Sequence, residues 1–448
     1  MNLHEALLCR SLNNGLVMRR NFFKPALPVE SSAIPQLRPL NLGHPLREIR
    51  FGQGNGVKTT SNRVSILKMP RPETHSPIQE AVQQWLTRWQ LGSSDNGLDE
   101  LLKTAPKRFT VYDPMVLLPS GSFNSPEWTT LLSTCDEDVK ASFWRLILEE
   151  ISKVGKAEVK PLTNLAINQG IPLHKDGIDE ENVLRSPTGL QILYGDFGSA
   201  RTTEEQPTAQ EFDEAFWVTT KQNQIHQTWA PRWTMFSRGN VKEKARLLQF
   251  EKAAKSGPTT WAIDLYGGIG YFVFSYARLG MKVACWELNP WSVEGLHRGA
   301  LANKWKVKVI RGDDLDLPIE QLMDGDQTIT VFQEDNQKAL GRIQQMQQLQ
   351  IARDIRHVNC GFLPTSEPTW RATWEMTRHS STSHLHLHEN VGVNDIKTRQ
   401  SAIQDMYVEW SRTDKDSRIP VANHVEQVKT YAPGVWHCVF DVYINNNG

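Results

Sequence analysis

Asp264-Leu265-Tyr266-Gly267-Gly268-Ile269-Gly270-Tyr271-Phe272 lies where an apolar run at 261–266 meets a helical pattern at 270–279, and its reading decides the fold. Glycines let a turn pass close beneath a ligand, and the start of a helix favours polar groups there. A glycine-rich turn alone is a weak signal, because ordinary tight turns use the same residues. Its surroundings carry more. Asp264 places a carboxylate at the strand end, which suits a cationic amino group better than a pyrophosphate and points away from a nicotinamide dinucleotide. Glu287 ends the next apolar run, at about the 20-residue spacing from which an acid reads ribose hydroxyls.

Outward from the turn, apolar runs at 261–266, 282–288, 357–363 and 384–391 alternate with helical patterns at 270–279, 290–304, 369–377 and 394–412. That alternation predicts a parallel sheet. Two later runs, 425–431 and 436–444, are joined by Ala432-Pro433-Gly434, a turn signal that predicts an antiparallel hairpin. Parallel strands ending in one antiparallel hairpin are the pattern of a class I methyltransferase. The expected fold class is therefore α/β, with a class I methyltransferase-type Rossmann domain over residues 216–448.

The third strand has two candidates. Residues 307–310 lead into Gly312-Asp313-Asp314, and residues 328–332 lead into Glu334-Asp335-Asn336. Both put an acid just past a strand, where an adenine amino group can be read. The second is favoured, because a helix-forming stretch at 337–349 and then the fourth strand follow at once. Asp335 and Asn336 are then the adenine-side residues, and 306–327 is an insertion or an extra edge.

Upstream, residues 1–60 are broken by Pro, Asn, Gly and Ser and read as irregular. Up to about Lys24, Arg10, Arg19 and Arg20 with the single acid Glu5 admit a mitochondrial presequence, although the amphipathic pattern is weak. Residues 61–215 read as a smaller α+β region. A helix begins near Pro77, with Ile78, Val82, Trp85, Leu86 and Trp89 on one face. Strands are expected at 109–118 and 190–194 and a helix at 136–154, and the acidic stretch 203–214 reads as a boundary. Formal net charge is zero, so any nucleic-acid surface must be local. The five cysteines, Cys9, Cys135, Cys285, Cys360 and Cys438, are scattered and include no CxxC pair, which favours a reducing, cytoplasmic setting over a disulfide scaffold or zinc ribbon. No apolar run approaches the roughly 18 residues of a membrane helix. Nothing suggests an obligate partner subunit, and a monomer is expected.

Several motifs together resemble one family. They are Trp229-Ala230-Pro231-Arg232-Trp233-Thr234-Met235-Phe236-Ser237 with Arg238 to Lys244 after it, the glycine turn, Glu287-Leu288-Asn289-Pro290, His357-Val358-Asn359-Cys360-Gly361-Phe362-Leu363-Pro364-Thr365-Ser366-Glu367, His388-Glu389-Asn390-Val391 and Val428-Lys429-Thr430-Tyr431-Ala432-Pro433. Over about 220–435 the chain resembles a fungal-type member of the wybutosine-synthesis tRNA aminocarboxypropyltransferases, sisters of the tRNA guanine-N1 methyltransferases that act at position 37. A weaker likeness reaches back through Tyr112-Asp113-Pro114, Leu117-Leu118-Pro119 and Ile192-Leu193-Tyr194-Gly195. The methyltransferases carry a compact Asn-Leu-Pro motif after the fourth strand. Here four residues separate Asn359 from Pro364, and Thr-Ser-Glu follows, as in the aminocarboxypropyl branch.

The resemblance implies S-adenosylmethionine as donor of its 3-amino-3-carboxypropyl group to carbon 7 of 4-demethylwyosine at position 37 of phenylalanine tRNA. It implies cofactor contacts at Ser237 and Lys244, beside Asp264, Gly268, Glu287, Asp335 and Asn336. A lysine ammonium is apt for the methionine carboxylate. Without the resemblance, residues 242–246 read as a solvated helix face. Trp229, Trp233 and Phe236 are candidate stacking platforms for the extruded base, or interior packing. Arg232, Arg238 and Lys242 are candidate phosphate contacts, and residues 61–215 are expected to supply part of the tRNA grip. His384, His386 and His388 alternate along one strand face, yet three such histidines converge poorly on a tetrahedral ion, so no metal is expected. No residue stands out as a general base. A guanine-N1 methyltransferase and a silent cofactor-binding RNA adaptor are the rival readings.

Overall fold

Ser76 starts the first described helix with a reciprocal cap: its hydroxyl accepts from the Gln79 amide at 3.2 Å, while Gln79 Oε1 accepts from the Ser76 amide at 3.1 Å. The computed structural model describes residues 76–90, 95–154, 161–168, 189–200, 206–254 and 259–446. The irregular segment 1–60, and with it the presequence reading, lies outside them.

The N-terminal part holds α1 (Pro77–Trp89), α2 (Asp95–Thr104), β1 (Thr110–Tyr112), β2 (Met115–Leu118), α3 (Pro126–Thr134), α4 (Glu137–Val154), β3 (Asn164–Ile167), β4 (Gln191–Tyr194) and α5 (Ala209–Glu214). Its strands form one sheet in the order β1-β2-β3-β4. The strand expected at 109–118 is two antiparallel strands, because the chain reverses in a two-residue turn at Asp113-Pro114, with Tyr112 opposite Met115. Ile78, Val82, Trp85 and Leu86 are buried as the periodicity predicts, but Trp89 is 43% exposed at the helix end. Trp85 stacks on Phe143 of α4 and Trp128 of α3 stacks on the same ring, so three helices share one aromatic core above the sheet.

The rest begins with a hairpin, β5 (Val218–Gln222) and β6 (Ile225–Trp229), followed by α6 (Val241–Leu247). Then come β7 (Thr260–Asp264), α7 (Val273–Arg278), β8 (Lys282–Trp286), α8 (Pro290–Ala302), β9 (Val307–Ile310), α9 (Ile319–Leu322) and β10 (Ile329–Phe332). They are followed by α10 (Ala339–Gln348), β11 (Asp354–Cys360), α11 (Trp370–Met376), β12 (Thr382–Gly392), α12 (Ile396–Thr413), β13 (Ile419–Ala432) and β14 (Val435–Asn445). Eight strands form one sheet in the order β13-β14-β12-β11-β7-β8-β10-β9. All neighbours are parallel except β14, which runs antiparallel between β12 and β13.

This is the class I methyltransferase arrangement with one strand added. The place beside β8 belongs to β10, and β9 is the extra outer edge, as the reading of 306–327 anticipates. Helices α10, α11 and α12 cover one face through Ile343, Trp370, Trp374 and Tyr407, while α7 and α8 cover the other through Phe274, Val293 and Leu296. Buried on both sides, the strands read as apolar runs rather than as alternation. Among the described residues no helix is long and apolar enough to cross a membrane.

Candidate functional site

Strand order reverses at β7, which lies between β8 and β11. Ligands of open α/β sheets bind outside the carboxyl ends of the strands at such a point. Asp264 is the last residue of β7 and is fully buried. Its Oδ1 accepts from the Tyr266 amide and from Asn359 Nδ2, each at 3.1 Å, and Asn359 is its register partner on β11. Oδ2 is buried without a hydrogen-bond partner. Burial pushes the Asp264 carboxyl up to about 6, against the opposing pull of those two donors. A buried carboxylate oxygen lacking a donor fits a cationic amino group placed at this strand end.

After Asp264 the chain makes the glycine turn. Gly268 and Gly270 have φ of +52° and +88°, and a Cβ on Gly270 would lie 2.5 Å from the Phe274 ring. Only glycine meets both demands without strain. The Gly268 amide donates to Glu287 Oε2 at 2.8 Å, so the acid after β8 and the turn after β7 are joined directly. Glu287 Oε1 accepts from the Asn289 amide at 2.8 Å, Asn289 Oδ1 caps α8 by accepting from Trp291, and Pro290 takes the first turn. Each residue of the Glu287-Leu288-Asn289-Pro290 motif except Leu288, which is exposed, thus has a local physical reason.

Asp335 and Asn336 follow β10. Asn336 Nδ2 donates to the Leu265 carbonyl at 2.8 Å, which ties this loop to the start of the glycine turn, whereas exposed Asp335 caps a short 3-10 turn by accepting from Gln337. Asp313 and Asp314 follow the outer strand β9, one strand farther from the switch point, and are exposed. Glu334 is not a ligand candidate: it is buried against Trp286 Nε1 and Arg342. Tyr266 and Phe362 stack at 5.0 Å over the same end of the sheet.

Ser237 and Lys244 meet around Tyr271 of the glycine turn. The Tyr271 hydroxyl accepts from the Ser237 amide at 3.0 Å and donates to the Met235 carbonyl at 2.6 Å. Lys244 is buried, not on a solvated face. Its ammonium donates to Gln222 Oε1 at 2.5 Å and Gln227 Oε1 at 2.7 Å and lies 5.1 Å from the Phe236 ring and 5.7 Å from the Tyr271 ring. Burial pulls it down to about 7. Three residues here were not singled out as site residues from the sequence: Asn359, Tyr271 and Lys429, whose ammonium donates to Ser237 Oγ at 3.2 Å. All three stand inside the quoted motifs, Tyr271 in the glycine turn itself, and that is the signal the sequence offers.

Of the alternating histidines, His386 belongs to a structural network. His357 and His386 share a hydrogen bond at 3.0 Å, His386 Nδ1 lies 2.8 Å from Asp441, and Asp441 pairs with Arg246, which also holds Glu243. This buried chain clamps α6 onto β14 and β12. Among the described residues no group of histidines, cysteines and acids is placed to hold a metal ion.

Trp229 and Phe236 are interior packing rather than open platforms: they stack on each other at 4.5 Å and pack on Tyr112, between the four-stranded sheet and the β5–β6 hairpin. Trp233 stacks on Trp291 at 5.0 Å. Arg238 is exposed and donates to Thr110, Lys242 pairs with Glu426, and Arg232 reaches the Phe197 carbonyl.

No protein-family model matches the chain. Curated relatives do. The tRNA wybutosine-synthesizing protein 2 of Schizosaccharomyces pombe is 38% identical over 340 residues, 75% of this chain and 72% of that protein. The protein of the same name from Saccharomyces cerevisiae is 31% identical over 441 residues, covering 90% of this chain and 88% of that protein. Among solved structures, Pyrococcus horikoshii TYW2 in complex with MeSAdo is 18% identical with a TM-score of 0.49, covering 82% of this chain and 99% of that one. The chain belongs to the tRNA wybutosine-synthesizing protein 2 family.

Proposed function

We propose that the chain transfers the 3-amino-3-carboxypropyl group of S-adenosylmethionine to carbon 7 of 4-demethylwyosine at position 37 of phenylalanine tRNA, releasing methylthioadenosine and a proton. Membership of the family is the observation that carries this reading, since the likeness runs through both the N-terminal region and the Rossmann domain. The sulfonium supplies the electrophilic carbons, so which group moves is decided by positioning. Asp264 takes the cofactor ammonium on its orphaned Oδ2, Ser237 and Lys244 take the methionine carboxylate, Glu287 with Gly268 takes the ribose, and Asp335 and Asn336 take the adenine side.

Residues 61–215 contribute to the tRNA grip, and the described cysteines, Cys135, Cys285, Cys360 and Cys438, are all free, in keeping with a reducing cytoplasm. The test is incubation with S-adenosylmethionine and phenylalanine tRNA from a strain lacking this activity, followed by nucleoside mass spectrometry. The mass gain of an aminocarboxypropyl group supports the reading. The gain of a methyl group points to a guanine-N1 methyltransferase, and no gain points to a cofactor-binding adaptor.

A further inference from the structure

A row of side chains crosses three strands at the carboxyl end of the sheet, beyond the cofactor residues. Asn390 of β12 is paired in register with His437 of β14, and His437 with Lys429 of β13, so the three share one face. His388, two residues before Asn390, lies on the same face. Its Nδ1 is 2.9 Å from His437 Nε2. His388 also rests against the Phe272 ring at 5.1 Å, and Phe272 belongs to the glycine turn.

This row has four buried polar atoms with no hydrogen-bond partner among the described residues: His388 Nε2, His437 Nδ1, and both Oδ1 and Nδ2 of Asn390. His388 and His437 are 1% and 2% exposed. Leaving such groups unmet is costly, and natural chains leave few of them without a reason.

The chemistry of the vacancies specifies their ligand. Burial holds His388 well below the usual imidazole range and His437 down to about 4, so the pair is neutral at pH 7. A neutral pair joined by one hydrogen bond always shows one N–H and one lone pair at its outer nitrogens, whichever tautomer it adopts. The Asn390 amide adds another donor and another acceptor. Two donors and two acceptors, all uncharged, are a poor match for a carboxylate or phosphate, which only accepts. They match the edge of a polar heterocycle.

We propose that Asn390, His388 and His437 form the seat that reads the hydrogen-bonding edge of the acceptor base, an inference that rests on the function proposed above. The Asn390 amide offers the bidentate donor–acceptor pair, and the two histidines adjust their tautomer to the base. The turn carrying Ser237 and Gly239 borders this seat: a Cβ on Gly239 would lie 2.4 Å from the Lys429 stem. Because the four atoms are sealed from solvent, the base enters as that turn gives way.

The test compares two tRNAs, phenylalanine tRNA bearing the tricyclic base and a transcript with guanosine at the same position. The full chain and its Asn390→Leu variant are titrated with both, and separately with S-adenosylmethionine. The wild type is expected to favour the tricyclic tRNA. Asn390→Leu is expected to cut that preference about tenfold, with transcript and cofactor affinities unchanged. An unchanged preference overturns the inference and leaves the orphaned atoms to bound water. A loss of cofactor affinity overturns it too, moving the row to the cofactor's seat, and so does a wild type that binds both tRNAs alike. If Asn390→Leu melts far below the wild type, Asn390→Ala carries the same comparison. The function proposed above fails separately, when wild-type protein adds no aminocarboxypropyl group.

Discussion

Replacing Lys244 with methionine separates its cost to folding from its use in binding. The folded chain releases this proton near pH 7, whereas an unfolded lysine holds it to about pH 10.4. Between those values the unfolded state binds more protons, so this group makes stability rise with pH, while below pH 7 the folded chain bears a buried ammonium. From pH 7 to 9 the wild type is therefore expected to gain about 2 kcal/mol relative to Lys244→Met, measured by urea unfolding. The carboxylate of a bound methionine tail reverses the balance, because an opposite charge beside the ammonium favours its charged form. At pH 8 a group with a pKa of about 7 is only about one-tenth protonated, so a tail carboxylate at Lys244 draws in nearly one proton. Calorimetry in two buffers of different ionisation enthalpy reads this uptake. The cofactor's own amino group titrates in the same range, so the relevant quantity is the difference between wild type and Lys244→Met. That difference is expected to approach one proton for S-adenosylmethionine and to vanish for methylthioadenosine, which lacks the tail. Equal uptake by the two proteins would refute the placement of Lys244 at the carboxylate.

Asp264→Asn is expected to melt higher at pH 7.5 yet lose S-adenosylmethionine affinity at least tenfold. Its raised carboxyl makes the folded state the better proton binder between about pH 4 and 6, so the ionised form above that window costs about 3 kcal/mol, which the amide removes. Arg246→Met is expected to destabilise by about 3–5 kcal/mol in urea unfolding, because it strands Glu243 as a buried, unpaired carboxylate and leaves Asp441 only its hydrogen bond with His386. Asp335→Ala is expected to weaken cofactor binding more than Asp313→Ala in parallel titrations, since only the former follows the strand beside β8. The reverse order would place the adenine at the outer edge.

The domain's strand sequence was legible because strands covered on both faces are apolar throughout, and the hairpin was legible because Pro433 and Gly434 mark its turn. The β5–β6 hairpin was not read. Its turn residues are Asn223 and Gln224, at φ of +51° and +64°, where glycine is the usual signal. The strand at 109–118 was read as one because apolar content continues past Pro114. Asp264, Gly268 and Glu287 were legible from spacing, since their geometry is set within one βαβ unit. Lys244 was harder: its neighbours Gln222 and Gln227 lie on a hairpin some 20 residues earlier, so a charged helix pattern concealed a buried ammonium. The histidine alternation was visible, but its partners Asp441 and His437 come from β14, and only the sheet order brings them together.

The central claim is that the chain moves the aminocarboxypropyl arm and not the methyl group. Two preparations of S-adenosylmethionine decide it most directly, one labelled on the carboxyl carbon and one on the methyl carbon, each incubated with this protein and phenylalanine tRNA bearing the tricyclic base. Label should enter the tRNA from the carboxyl-labelled donor alone, while the methyl label stays in methylthioadenosine. Methyl label in the tRNA, with the carboxyl label left in S-adenosylhomocysteine, would contradict the account.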